Sequence, residues 1–276
     1  MPSGGSKQNP ASIAPYKSGY APVNGLKLYY EIYGNGKPMI LMHGAFGAID
    51  MFAPILPILS EKRQVIAVDL QGHGRTADID RPLSAEGMAD DMAALLKYLN
   101  IDKADIMGYS MGGAVAIQML IRHPQMVNKA VFVSAPYKKD FWYPEMNAAM
   151  KNVGAASADG MKQSPLYPLY ASQAPNPGDW TKLNIKIGQL VNQNFDWTEG
   201  IKQIKSPVMI VIGDADGVSP ANAAAFFALL GGGLRDGGWD GSGVTKNRLA
   251  ILPGLTHYNI FASPVLANTV VAFLNE

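Results

Sequence analysis

Short apolar runs alternate with helical stretches along almost the whole chain, and few folds tolerate that order. Predicted strands cover Leu26 to Tyr33, Met39 to Met42, Val65 to Asp69, Ala104 to Gly108, Ala130 to Ser134, Val208 to Gly213 and Arg248 to Leu252. Between and after them, helical patterns span Phe52 to Ser60, a segment capped by Ser84 and running to about Leu99, Met111 to Arg122, Ala221 to Leu230, and Pro264 to Leu274. The first two strands, divided by the turn Gly34-Asn35-Gly36, read as neighbours. The alternation calls for an α/β architecture, a mostly parallel central sheet with helices on both faces. Ligand chemistry then gathers at the carboxyl ends of the strands.

Two stretches interrupt the rhythm. Residues 137 to 205 hold Trp142, Tyr143, Trp180 and Trp197 among many Pro, Met and Tyr residues, without a convincing apolar strand. Sheet strands flank this stretch, so it reads as a helical cap inserted at the carboxyl edge, with 20–136 and 206–276 forming the core. Its aromatics can equally form a core of their own. The glycine-dense segment 231–243, with Arg235, Asp236, Trp239 and Asp240, lacks the Gly-Lys-Ser/Thr ending of a phosphate loop and the Glu of a calcium loop. As a helix-to-strand connection it belongs at the edge opposite the strand carboxyl ends.

Composition narrows the partners. With 276 residues, 48% apolar and 16% charged, a sizeable core can form; a net charge of +1 without long runs of one sign gives no footing for nucleic acid. A small, neutral molecule is the expected ligand. The chain has no cysteine, which excludes disulfides, thiolate metal sites and a cysteine nucleophile. Its four histidines show no metal-ligand spacing, so neither a metal nor a cofactor is expected. Residues 1–19 read as a flexible tail with no signal-peptide apolar region, and no run is long enough to span a bilayer. The expected location is the cytoplasm, or outside it if a leader preceded this start.

Gly108-Tyr109-Ser110-Met111-Gly112-Gly113 matches Gly-x-Ser-x-Gly at the point where a predicted strand passes directly into a predicted helix. Gly108 and Gly112 suit the close backbone contacts of such a turn. A serine hydroxyl needs a base to act as a nucleophile at neutral pH. Among the histidines, His43 and His73 precede the serine, and His123 follows it but stands before Pro124 at a helix end; that leaves His257, in a loop after the last predicted strand. The third group should come from Gly213-Asp214-Ala215-Asp216, where both carboxylates are open by spacing and Asp216 has the freer reach.

With these motifs, residues 20 to 276 resemble an α/β-hydrolase fold serine hydrolase of the esterase group. The resemblance implies Asp216 as the acid completing a triad with Ser110 and His257. It also makes His43-Gly44-Ala45-Phe46-Gly47 an oxyanion loop, in which the N–H groups of Ala45 and Met111 would bind developing negative charge. The stretch Asp69-Leu70-Gln71-Gly72-His73-Gly74-Arg75-Thr76 is implied to be a structural loop beside the site.

The expected chemistry is acyl transfer from a small, largely apolar ester through an acyl-enzyme, with activity rising through the ordinary histidine pKa of about 6.5. Phe46, Tyr109, Trp142 and Tyr143 are candidates for the substrate pocket. Carbon–carbon hydrolysis and cofactor-free perhydrolysis use the same triad and remain open, as does a receptor that binds without turnover.

Overall fold

The computed structural model describes residues 13–276 and contains one eight-stranded sheet in the order β1-β2-β4-β3-β5-β6-β7-β8. The strands are β1 (Lys17–Val23), β2 (Leu26–Tyr33), β3 (Lys37–Met42), β4 (Arg63–Val68), β5 (Ala104–Tyr109), β6 (Val127–Val133), β7 (Val208–Ala215) and β8 (Arg248–Thr256). From β4 onward across the sheet every pairing is parallel, whereas β1–β2 and β2–β4 are antiparallel.

Two expectations change here. The segments Leu26 to Tyr33 and Met39 to Met42 are strands but not neighbours, because β4 lies between them. The buried run Met39–Met42 needs cover on both faces and partners on both edges, which β4 and β5 supply. The chain also becomes a strand at Lys17, inside the stretch read as a tail, and pairs with β2 along its whole length. Of that tail, residues 1–12 lie outside the described residues.

Eleven parallel-sheet positions show why the sheet needs two helical layers. Ile40 and Met42 of β3, Ile66 and Val68 of β4, Ile106 of β5 and Ile210 of β7 enter one core with α2 (Ala85–Tyr98), α3 (Met111–Arg122) and α9 (Pro220–Leu229). Their alternates Met39, Leu41, Val65, Met107 and Val211 enter another with α1 (Leu56–Leu59) and α10 (Pro264–Asn275). This is the period-2 alternation of strands that are buried on both faces. Ser84 caps α2 as expected, its Oγ accepting from the Gly87 N–H at 3.0 Å.

Between β6 and β7 the chain forms α4 (Pro144–Lys151), α5 (Ala158–Met161), α6 (Leu166–Gln173), α7 (Trp180–Val191) and α8 (Thr198–Lys202). Trp180, Leu183 and Ile187, spaced along one face of α7, bury with Ala158 and Tyr170, and Phe46 and Leu83 of the main body join them. Lys186 of α7 ties this segment down by donating to Asp78 at 2.8 Å and to the Ile79 and Arg81 carbonyls. The glycine-rich connection leads from α9 to the amino end of β8, where Asn247 accepts from the first residue of β7, Val208, at 2.9 Å. It therefore lies away from the strand carboxyl ends.

Candidate active site

Ser110 follows β5 directly and precedes the first residue of α3. Its backbone is forced into φ +53°, ψ −114°, and its N–H donates to the Val133 carbonyl of β6 at 2.9 Å. Such a conformation costs a non-glycine residue on the order of 1–3 kcal/mol and persists only where its surroundings enforce it. They do so through close contact: a Cβ on Gly108 would collide with the backbone of Gly112, and one on Gly112 with the carbonyls of Met42 and His43. The turn thus presses α3 onto β5 and β3 and leaves the Ser110 side chain partly exposed at the sheet's carboxyl edge.

Strand register explains how the other two groups reach it. Ala215 pairs with Thr256 across β7 and β8, so the next residues, Asp216 and His257, leave the sheet side by side. His257 Nε2 lies 3.1 Å from Ser110 Oγ, and its Nδ1 lies 3.1 Å from Asp216 Oδ1. A carboxylate only accepts, so Nδ1 carries the proton and Nε2 is left to accept from the hydroxyl. Asp216 is buried; burial alone would raise its pKa. The His257 hydrogen bond and charge, with the Ser134 hydroxyl and the Gly213 N–H, outweigh it and hold the carboxyl below its ordinary value. Asp214 turns elsewhere: exposed, it accepts from the Gly254 N–H at 2.9 Å and braces the β8 turn.

The segment after β3 completes the arrangement. Among the described residues, neither the Ala45 N–H nor the Met111 N–H, the first of α3, has an acceptor within the chain. His43, fully buried, holds this segment in place: Nδ1 donates to the Gly44 carbonyl at 2.7 Å, and Nε2 accepts from the Leu70 N–H at 3.0 Å. Asp69 supports the same loop from below, accepting from the N–H groups of Ile49 at 2.8 Å and Arg75 at 2.9 Å.

Comparison with known proteins agrees with this architecture. A family model described as alpha/beta hydrolase fold matches residues 37–163. The chain has the α/β-hydrolase fold. A pimeloyl-[acyl-carrier protein] methyl ester esterase of Legionella pneumophila is 25% identical over 254 residues, covering 86% of this chain and 96% of its own. Two solved structures share the fold. The enol-lactonase of Burkholderia xenovorans has a TM-score of 0.69 at 22% identity, covering 93% of this chain and 100% of that one. A meta-cleavage product hydrolase of Pseudomonas fluorescens has a TM-score of 0.73 at 21% identity, covering 95% and 98%.

On this α/β-hydrolase scaffold the four pocket candidates fare differently. Trp142 reaches the site: its ring stands edge-on to His257 with centroids 5.5 Å apart, and its backbone bridges to Val218. Phe46, at φ +60°, packs on Trp180 of α7 at 5.4 Å and so joins the segment after β3 to the helices between β6 and β7. Tyr143 is exposed, held by its N–H to the Gly217 carbonyl at 2.9 Å. Tyr109 does not face a pocket: it is buried beneath His257, where its hydroxyl donates to the His257 carbonyl at 2.6 Å. The sequence reading made it a pocket candidate; the period-2 alternation of β5 turns it into the α10 side of the core. It also passed over Ser134, whose hydroxyl donates to Asp216 Oδ2. The available signal was its place, a polar residue at the carboxyl end of the strand beside the one that leads into Ser110.

Proposed function

We propose that this chain is a serine hydrolase that cleaves a carboxylic ester, or a related acyl bond, of a small and largely apolar substrate through an acyl-enzyme. The observation that carries this reading is the unbroken hydrogen-bonded series Ser110 Oγ, His257 Nε2, His257 Nδ1, Asp216 Oδ1 beside two unengaged N–H groups. In the first half-reaction Ser110 Oγ bonds to the substrate carbonyl carbon while its proton passes to His257 Nε2. The carbonyl oxygen becomes an oxyanion held by the Ala45 and Met111 N–H groups, the latter aided by the positive end of α3. The imidazolium, steadied by the Asp216 carboxylate, gives its proton to the departing alkoxide. Water then adds to the acyl group by the same route and restores Ser110.

The rings of Trp142 and Tyr258, set edge-on to His257, carry no charge, which suits a neutral acyl or aryl group. We read residues 137–205, with their own apolar cluster on Phe46, as the cap over that group. The ester-cleaving relative from Legionella supports the same substrate class.

Fluorophosphonate labelling followed by peptide mass spectrometry tests the nucleophile: an adduct on Ser110 is expected, and its absence removes the enzyme reading in favour of a non-catalytic receptor. A panel of p-nitrophenyl esters of rising acyl length, beside aryl esters, lactones and a dienoic diketone, tests the bond cleaved. Faster turnover of the diketone would replace ester hydrolysis with carbon–carbon hydrolysis.

A further inference from the structure

Ser110 has a structural counterpart one strand away. Tyr109 pairs with Val133 across β5 and β6, so Ser110 and Ser134 leave adjacent strands side by side. Both have φ +53°, and each donates its N–H to the next strand at 2.9 Å, Ser110 to Val133 and Ser134 to Val211. Ser110 owes its strained turn to the chemistry proposed for it, whereas Ser134 begins no helix and is fully buried. An observed backbone outlier of this kind asks for a role.

Its side chain supplies one. The Ser134 hydroxyl donates to Asp216 Oδ2, the oxygen not engaged by His257. The other donors to this carboxylate are the N–H groups of Gly213 and Val218, both at 3.3 Å. Among the described residues Ser134 is thus the one side chain besides His257 that fixes the Asp216 plane. We propose that Ser134 is a positioning residue, whose left-handed turn aims its hydroxyl at Asp216 and so sets the carboxylate, and through it the His257 ring, for proton transfer with Ser110. This rests on the serine-hydrolase reading above.

The role separates from plain structural support because the hydroxyl and the backbone turn can be varied apart. Ser134→Ala removes the hydroxyl and keeps the strained turn; Ser134→Gly removes the hydroxyl and relieves the turn. With the full chain and p-nitrophenyl acetate, both should lower kcat roughly tenfold to a hundredfold, with KM within about twofold. The acid limb of kcat/KM should move up by about half a pH unit, since a carboxylate that loses a donor holds the proton on its imidazole partner more firmly. The other titratable groups facing the pair, Tyr109 and Tyr258, are unchanged by either substitution. Ser134→Gly should melt within about 4 °C of wild type, because relief of the turn offsets the lost hydrogen bond, so its slowness is not loss of fold. Added to Asp216→Asn, Ser134→Ala should change kcat by less than about twofold. A wild-type rate and acid limb in Ser134→Gly, or an undiminished Ser134→Ala penalty beside Asp216→Asn, would overturn the proposal. If wild-type Ser110 takes no fluorophosphonate, the hydrolase reading itself fails and takes this role with it; labelled wild type beside an unimpaired Ser134→Gly sinks the positioning role alone.

Discussion

Asp214 and Asp216 leave β7 two residues apart, and their surroundings differ in every respect that matters for charge. Asp216 is buried, faces His257 at 3.1 Å and is held ionised by its donors; Asp214 is exposed and accepts one backbone N–H. Asp216→Asn leaves an amide that cannot stabilise an imidazolium and can hold the ring in the wrong tautomer, so kcat should fall by roughly three to four orders of magnitude. Asp214→Asn keeps an acceptor for the Gly254 N–H and should stay within about threefold of wild type. Ser110→Ala and His257→Ala should each lose several orders, and burst kinetics on a p-nitrophenyl ester measure all four. A costly Asp214→Asn beside a mild Asp216→Asn would reverse the assignment. His257 could be paired with Ser110 from order and placement together, because of the two histidines after the serine, His123 stands before Pro124 at a helix end and His257 lies in a loop after a strand. The choice between the two aspartates could not, since it depends on Ala215 pairing with Thr256 across a register shift. Ser134 and Tyr109 were hidden for the same reason: each acts by touching a residue more than eighty positions away, Asp216 and His257.

Packing of α3 against β5 turns the serine motif from a pattern into a mechanical constraint. A Cβ at Gly108 would meet backbone atoms of Gly112 and Gly113, which cannot swing aside as a side-chain tip would. Gly108→Ala must therefore lift the amino end of α3, and with it the Met111 N–H, away from the sheet. The expected result is a loss of about 1–3 kcal/mol in urea unfolding together with slower labelling of Ser110. Gly160 in α5 has nothing within 4 Å of its would-be Cβ and no positive φ, so Gly160→Ala should stabilise by about 0.4–1 kcal/mol with labelling unchanged. Equal effects at both sites would contradict the packing account. Sequence reading recovered β2 to β8 with α2, α3, α9 and α10, and most of these carry buried faces that impose a period. Those it missed impose none: β1 carries Gly19 and Pro22, sits at the edge and buries only Ala21 and Val23 fully, so its composition resembles a tail. The helices between β6 and β7 are mostly single or double turns, too short to show a 3.6-residue repeat.

Two buried histidines outside the proposed relay make the fold less stable as pH falls. His43 and His73 are both fully buried with ring centroids 5.1 Å apart. Burial pushes His43 down to about 4 against the pull of the Gly44 carbonyl, and burial together with the His43 charge pushes His73 down to about 3. Each donates from Nδ1 to a carbonyl, Gly44 and Gln71, so protonation would add a charge at Nε2. At His43 that nitrogen already accepts from Leu70; at His73 it has no partner among the described residues. In the unfolded chain both rings take a proton near pH 6.5, and in the folded chain they do so only below about 4 and 3. Between those limits the unfolded state binds more protons, so stability is full above pH 6.5 and drains as pH falls, on the order of 2–3 kcal/mol per ring by pH 4.5. The lowered carboxyl of Asp216 acts in the same direction below the ordinary carboxylate range, whereas burial raises the Asp69 carboxyl, which works against the histidines at the acid end. Urea unfolding at steps from pH 7.5 to 4.5 should show stability falling with pH, with up to two protons of slope from this pair. His73→Asn keeps a donor for the Gln71 carbonyl and removes one titrating ring, so it should flatten the slope by about one proton, near 1.4 kcal/mol per pH unit. A wild-type stability that is level from pH 7 to 5, or a His73→Asn variant with the full slope, would show that these rings are not held neutral by the fold.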